Sequence, residues 1–141
     1  MAEPPAALAT GVGADVREVW VNREDPNYFA ILESEEAVAA VRPDLARLRE
    51  LHPYGVAVSA PGDSADFVSR YFAPGYGIPE DPVTGSIHCA LGPHWARALG
   101  RSDLRAVQLS ERRGHLGVRV KGDRVRLTGR AVHYLAGEIL L

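Results

Sequence analysis

An α+β fold, with a curled mixed β-sheet wrapped round one central apolar helix, follows from three features of the 141-residue sequence. Short apolar or alternating runs bounded by turn residues recur along the chain, as strands do. One long segment, Ser86–Leu99, is apolar on nearly every side, the pattern of a helix buried among other elements. The segments after it return to alternation: Val118 and Val120 share a face with Val125 and Leu127, while Arg119, Lys121, Arg124 and Arg126 take the other. A chain of this length suits a single domain, residues 1–141, and can bury a sizeable core.

The elements follow in order. Residues 3–10 form a short helix opened by Pro4-Pro5 and ended near Gly11. Arg17–Asn22 and Asn27–Leu32 read as strands, with Asp25-Pro26 marking the turn between them. Ser34 is an N-cap for a helix through Val41, because its hydroxyl can take one of the orphan amides of the first turn. Pro43, at a first-turn position, restarts a helix whose Leu45, Leu48 and Leu51 keep one apolar face. Gly55–Ala60 and Asp66–Phe72 read as strands joined by the Pro61-Gly62-Asp63 turn. A Gly- and Pro-rich loop, Ala73–Gly85, leads into the apolar helix, which Gly100 stops. Pro93 inside that helix removes a backbone hydrogen bond and predicts a kink near Cys89. Four strands complete the chain: Arg105–Ser110, Gly117–Lys121, Arg124–Thr128 and Ala131–Leu140, with Gly122-Asp123 as a two-residue hairpin turn.

Composition narrows the function. Hydrophobic residues make up 46% and charged residues 24%, the balance of a globular protein and not of a disordered one. No apolar run reaches the length needed to span a bilayer, and Met1–Pro5 lacks the basic flank and apolar stretch of a signal peptide. The single cysteine, Cys89, excludes an intrachain disulfide, points to a reducing cytoplasm and is expected as a small core residue. The formal net charge of −2 hides an asymmetry: residues 97–130 hold ten basic residues against three acids. A basic hairpin of this kind can attract nucleic acid, but its alternation with valine favours a solvated sheet face.

The chemistry concentrates at Glu80-Asp81-Pro82-Val83-Thr84-Gly85-Ser86-Ile87-His88-Cys89. The first four N–H groups of a helix lack internal partners and carry the positive end of its dipole, so an anion is stabilised there. Gly85 lets a ligand approach the backbone, and Ser86 can cap the helix, bind the ligand or do both. Asp81 can transfer a proton, orient a substrate's amino or hydroxyl group, or close a turn before Pro82; Glu80 is expected to be exposed. His88 can face the pocket or pack inward as a hydrogen-bonded core residue. His88 and His94 fall on different helix faces, and His52, His115 and His133 show no ligand spacing with them, so no metal is expected.

Arg70-Tyr71-Phe72-Ala73-Pro74, followed by the run from Gly77 to Leu91, resembles the signature of the phenazine-biosynthesis PhzF-like family. His94-Trp95, Gln108–Gly114, Val118–Val120 and Gly122–Val132 fit as well, so the resemblance spans Leu8 to Leu141. It implies a fold similar to diaminopimelate epimerase, in which two related lobes, each a curled sheet round a helix, enclose the active site. It also implies a cofactor-independent isomerase or epimerase acting on a small carboxylate-bearing metabolite. On that resemblance Asp81, Gly85 and Ser86 line the pocket, with backbone groups of Gly85 and Ser86 holding the carboxylate. The candidate set is therefore Asp81 for proton transfer and Thr84, Gly85, Ser86 and His88 for substrate binding. The chain resembles only the family's C-terminal lobe; the family's catalytic glutamate and a Gly-His pair belong to the first lobe and match no segment here. The expected partners are the metabolite and either a second copy, as a homodimer, or a separate first-lobe chain, with no nucleic acid, membrane or cofactor. The alternative is an inactive half-length lobe that binds a small acid or self-associates through its exposed lobe–lobe surface.

Overall fold

The computed structural model of the chain describes residues 5–139. Its elements are α1 (Ala6–Val12), β1 (Glu18–Asn22), β2 (Asn27–Ile31), α2 (Glu35–Ala40), α3 (Leu45–Arg49), β3 (Gly55–Pro61), β4 (Phe67–Phe72), a 3-10 turn at Pro74–Tyr76, α4 (Gly85–Leu99), β5 (Asp103–Gln108), β6 (Gly114–Lys121) and β7 (Arg124–Thr128). The seven strands form one curled sheet in chain order. Neighbours are antiparallel except β2–β3 and β4–β5, which are parallel. Parallel neighbours need a crossover. Helices α2 and α3 supply the first and α4 the second.

These crossovers lie on opposite faces, and the strands alternate between two apolar cores. Ala30, Val56, Val58, Val68 and Phe72 pack with Leu8, Val12, Val38 and Leu48 of α1–α3. Phe29, Ile31, Ala57, Phe67 and Ala106 pack with Ile87, Leu91 and Trp95 of α4. A period of two sends adjacent residues to opposite faces, and a strand covered on both sides reads as a continuous apolar run. Gly55–Ala60 is such a run and is buried throughout. The two layers meet at Ser59, whose hydroxyl donates to the Val68 carbonyl at 2.7 Å and accepts the Trp95 indole N–H at 2.9 Å.

Local chemistry accounts for the helix ends. Ser34 accepts the Ala37 amide at 3.2 Å, as expected of the cap of α2. The cap of α3 is Asp44, which accepts the amides of Ala46 and Arg47; Pro43 lies outside the helix and not in its first turn. Helix α1 runs through Gly11, where Leu48 packs too close for a side chain, and ends at Gly13 in the left-handed conformation. The expected start of that helix at residues 3–4 lies outside the described residues.

The α+β fold is as expected, with the curled mixed sheet forming a half-barrel against the apolar helix α4. Two expectations about its parts need correction. Ile87, His88, Leu91, Gly92 and Trp95 face the sheet, whereas Cys89, Ala98 and Leu99 are exposed. Cys89 is therefore not a core residue: helical spacing turns it away from the buried stripe. The strand expected over Ala131–Leu140 has no regular structure across residues 131–139, and Leu140 lies outside the described residues. A strand exists only by pairing, and the chain does not turn back at Gly129, which lacks the positive φ that Gly122 uses in the β6–β7 hairpin. The Gly122-Asp123 turn is as expected, with Lys121 opposite Arg124 and Val118 opposite Leu127. Among the described residues no helix is long and apolar enough to cross a membrane.

Replacing Ser59 by Ala leaves the buried Trp95 N–H without an acceptor, which costs about 1–3 kcal/mol. Urea denaturation should show that loss with an unchanged m-value, because the cooperative unit is preserved.

Candidate functional site

Every part of the turn before α4 is tied to the sheet. The Asp81 amide donates to the Tyr71 carbonyl at 2.9 Å, and the Ser110 hydroxyl donates to the Pro82 carbonyl at 2.7 Å. Val83 sits over Gly114 so closely that any Cβ there would collide with it. Glu80, expected to be exposed, is half-buried and takes two hydrogen bonds from Arg70, at 2.8 and 2.9 Å. Arg70 also donates to the Val38 and Val41 carbonyls at the end of α2, so one guanidinium joins that helix to the turn. A bidentate charge-assisted pair of this kind fixes geometry as well as energy.

The central anchor is Gln108, fully buried at the end of β5. Its carbonyl oxygen accepts the Thr84 amide at 2.8 Å. Its NH2 donates to the Asp81 carbonyl at 2.7 Å and the Thr84 hydroxyl oxygen at 3.1 Å. The Thr84 hydroxyl in turn donates to the Asp81 carboxylate. Thr84 is thus the N-cap residue of α4 by position, yet its hydroxyl is turned away and makes no cap. Ser86, expected as a possible cap, is instead the second helical residue and is exposed. The amides of Gly85, Ser86 and Ile87 begin a fifteen-residue helix without side-chain capping. About half a positive charge is associated with such a terminus, and unpaired N–H groups are anion donors.

The candidate residues divide into two groups. Asp81, Thr84, Gly85 and Ser86 lie together at the turn; the first two are engaged with each other, whereas Gly85 and Ser86 face outward. His88 points inward instead. Its Nδ1 lies 2.7 Å from the Thr84 carbonyl and its Nε2 3.3 Å from the Ser69 hydroxyl, so it has the geometry of the hydrogen-bonded core histidine. Burial pushes its pKa below the usual 6.5, against a smaller opposing effect of the Thr84 hydrogen bond. Tyr71 is pushed up to about 12 by burial, reinforced by the negative charge of Asp25 and by Tyr76 and Asp81, and its hydroxyl donates to Asn27 at 2.7 Å.

A cleft of about 530 Å³ opens beside the turn, lined by Glu80, Pro82, Ser110, Glu111 and Arg112. No cluster of three or more His, Cys, Asp or Glu side chains able to hold a metal occurs among the described residues. Arg70, Gln108 and Ser110 are the positioning residues that residue-by-residue reading missed. The available signal was polarity out of place: a glutamine in the apolar run Ala106-Val107-Gln108-Leu109 and an arginine in Phe67-Val68-Ser69-Arg70-Tyr71-Phe72.

Residues 7–137 match the family model described as phenazine biosynthesis-like protein. The chain belongs to that family. It is 42% identical over 137 residues to an uncharacterized isomerase of Pseudomonas aeruginosa, covering 97% of this chain and 52% of that protein. A second uncharacterized isomerase of the same organism is 53% identical over 113 residues, or 80% of this chain and 43% of the relative. A crystallised PhzF family protein of Enterococcus faecalis superimposes with a TM-score of 0.81 at 38% identity, covering 95% of this chain and 53% of that one. A phenazine biosynthesis PhzC/PhzF protein of Clostridium difficile gives a TM-score of 0.86 at 37% identity, over 99% and 53%. This phenazine biosynthesis-like chain therefore spans about half the length of the relatives it matches.

The buried His88 sets a pH dependence. Its folded pKa is depressed, so the stability it contributes is present above pH 6.5 and is lost as pH falls through the folded value. Denaturation midpoints should decline below pH 6.5 in the wild type, and His88→Gln should remove that component of the decline.

Proposed function

We propose that this chain is the C-terminal lobe of a PhzF-like isomerase, moving a proton on a small carboxylate-bearing metabolite without cofactor or metal, in the cytoplasm. The observation that carries this reading is the uncapped start of α4, held open because Gln108 and Asp81 engage the Thr84 hydroxyl that would otherwise cap it. In this reading the amides of Gly85 and Ser86 receive the substrate carboxylate, and the Ser86 hydroxyl adds a donor at the exposed second position. Asp81 stands beside the carboxylate site as proton-transfer or orienting group, with Thr84 holding it in place. His88 supports the carbonyl of Thr84 from below and contributes to binding through that contact. A proton shift also needs a partner acid or base on the opposite side of the substrate, which the family's other lobe would supply.

The half-length span of the chain supports a second reading, a non-catalytic module that binds a small acid. The engagement of Asp81 with Thr84 and the burial of His88 favour binding over turnover for the isolated lobe. The two readings separate on isotope incorporation.

The test is incubation of the chain in D2O with a panel of chiral or unsaturated carboxylic acids, with and without a first-lobe polypeptide. Isomerase function predicts solvent deuterium at one carbon of a product, and Asp81→Asn should slow that exchange by roughly 10²–10⁴-fold. Gly85→Ala should leave the fold intact, because the new Cβ meets only Leu127 at 3.7 Å, yet it should weaken carboxylate binding. Binding without deuterium incorporation under both conditions would favour the module, and unchanged exchange in Asp81→Asn and Ser86→Ala would defeat the assignment of the site.

A further inference from the structure

Helices α1–α3 cover the face of the sheet opposite α4 as far as Val107 of β5. Past that point the same face is open to solvent and charged. Strand register sets its residues in two rows: Asp103, Arg119 and Arg126, then Arg105, Gly117 and Thr128. These rows line a cleft of about 440 Å³, which Asp66 and Arg101 complete.

Four guanidinium groups face two carboxylates in this cleft, a balance of 4 − 2 = +2. Both carboxylates are engaged. Asp66 pairs with Arg101 and accepts the Arg105 amide at 2.6 Å, and Asp103 pairs with Arg119. Arg105 and Arg126 have no ion pair among the described residues. Arg126 also lies directly opposite Arg119, and like charges facing each other across two strands are destabilising.

A glycine inside a strand marks a bulge, a crowding neighbour or a close approach by another group. Gly117 has no bulge, because the β5–β6 and β6–β7 registers run through it without a break. It has no crowding neighbour either: a Cβ there meets only Thr128, at 3.5 Å, which is ordinary contact. Nor does it adopt a positive φ. The missing side chain leaves the floor of the cleft bare between Arg105 and Thr128.

We propose that this cleft binds a phosphoryl dianion, the phosphate group of a small metabolite, at a site separate from the turn before α4. Arg105 and Arg126 supply two positive charges in the planar fork geometry that suits phosphate oxygens. Their strands are two spacings apart, about 10 Å, a gap that two long side chains can close over the bare glycine. The Thr128 hydroxyl adds a neutral donor. A dianion held there also relieves the repulsion between Arg119 and Arg126. The cleft has the size of a small-molecule site, and Asp66 and Asp103 interrupt the basic track that a nucleic-acid backbone would follow.

The test is titration of the full chain with inorganic phosphate and with pyrophosphate, followed by ¹H–¹⁵N NMR against sodium chloride at matched ionic strength. The amides of Arg105, Gly117 and Arg126 should shift saturably with both phosphates and not with chloride. Arg105→Gln with Arg126→Gln should raise the dissociation constant at least about tenfold. Lys121→Gln with Arg124→Gln removes the same charge from the hairpin end of this face and should change it by no more than about threefold. Gly117→Ala should keep or raise the melting temperature, because a Cβ has room there, yet weaken phosphate binding. Cleft amides unmoved by phosphate, equal losses in the two double variants, undiminished binding in Gly117→Ala, or binding of a single-stranded oligonucleotide but not of phosphate would each overturn the proposal.

Discussion

The buried amide of Gln108 reaches from the end of β5 into the turn before α4 and satisfies both the backbone and the side chain of Thr84. Each neutral hydrogen bond of this kind stabilises by about 0.5–1.5 kcal/mol net, but loss of the amide would strand buried partners at about 1–3 kcal/mol each. The turn therefore has one strongly preferred shape. That shape also determines what is left unsatisfied. A threonine at an N-cap ordinarily bonds an amide two or three residues on, worth roughly 1 kcal/mol. Here that hydroxyl serves Asp81 and Gln108 instead, and the helix terminus remains a donor site.

The sheet makes this arrangement possible through its two parallel joins. Because β4 and β5 run side by side in the same direction, their C-terminal ends emerge together, and the turn leaving β4 meets the end of β5. Tyr71 from β4 and Gln108 from β5 then hold Asp81 from either side, while Ser110 just beyond β5 holds Pro82. Arg70 extends the same support to the opposite face by joining α2 to Glu80. Binding groups at the carboxyl ends of parallel strands, next to a helix N-terminus, recur in α/β architecture for the same physical reason.

Much of this was legible because it depends on neighbours in the chain. Ser34 caps α2 from three residues away, Gly122-Asp123 turns a hairpin, and the valines of β6 and β7 alternate with arginines. The turn at Asp81–Ser86 was legible for the same reason, as a Gly/Pro-rich approach to an apolar helix. What was hidden depends on distance. Gln108 contacts residues 24 and 27 positions earlier, and Arg70 reaches α2 from 29 and 32 positions away. Local pattern assigned Glu80 to solvent and Cys89 to the core because neither the Arg70 pair nor the open side of α4 has a local signature. Residues 131–139 carry a strand pattern, but pattern does not supply a partner.

Anion binding at this turn depends on the amides at the start of α4 being free to receive it. Two-dimensional ¹H–¹⁵N NMR of the chain, titrated with small carboxylates and with their neutral amide analogues, reads those groups directly. The Gly85, Ser86 and Ile87 resonances should shift saturably with the acids and remain still with the amides. Gln108→Met, which removes the amide that holds the backbone and hydroxyl of Thr84 in place, should weaken that response. Resonances unmoved by any acid, or moved equally by the neutral analogues, would contradict an anion site at this turn.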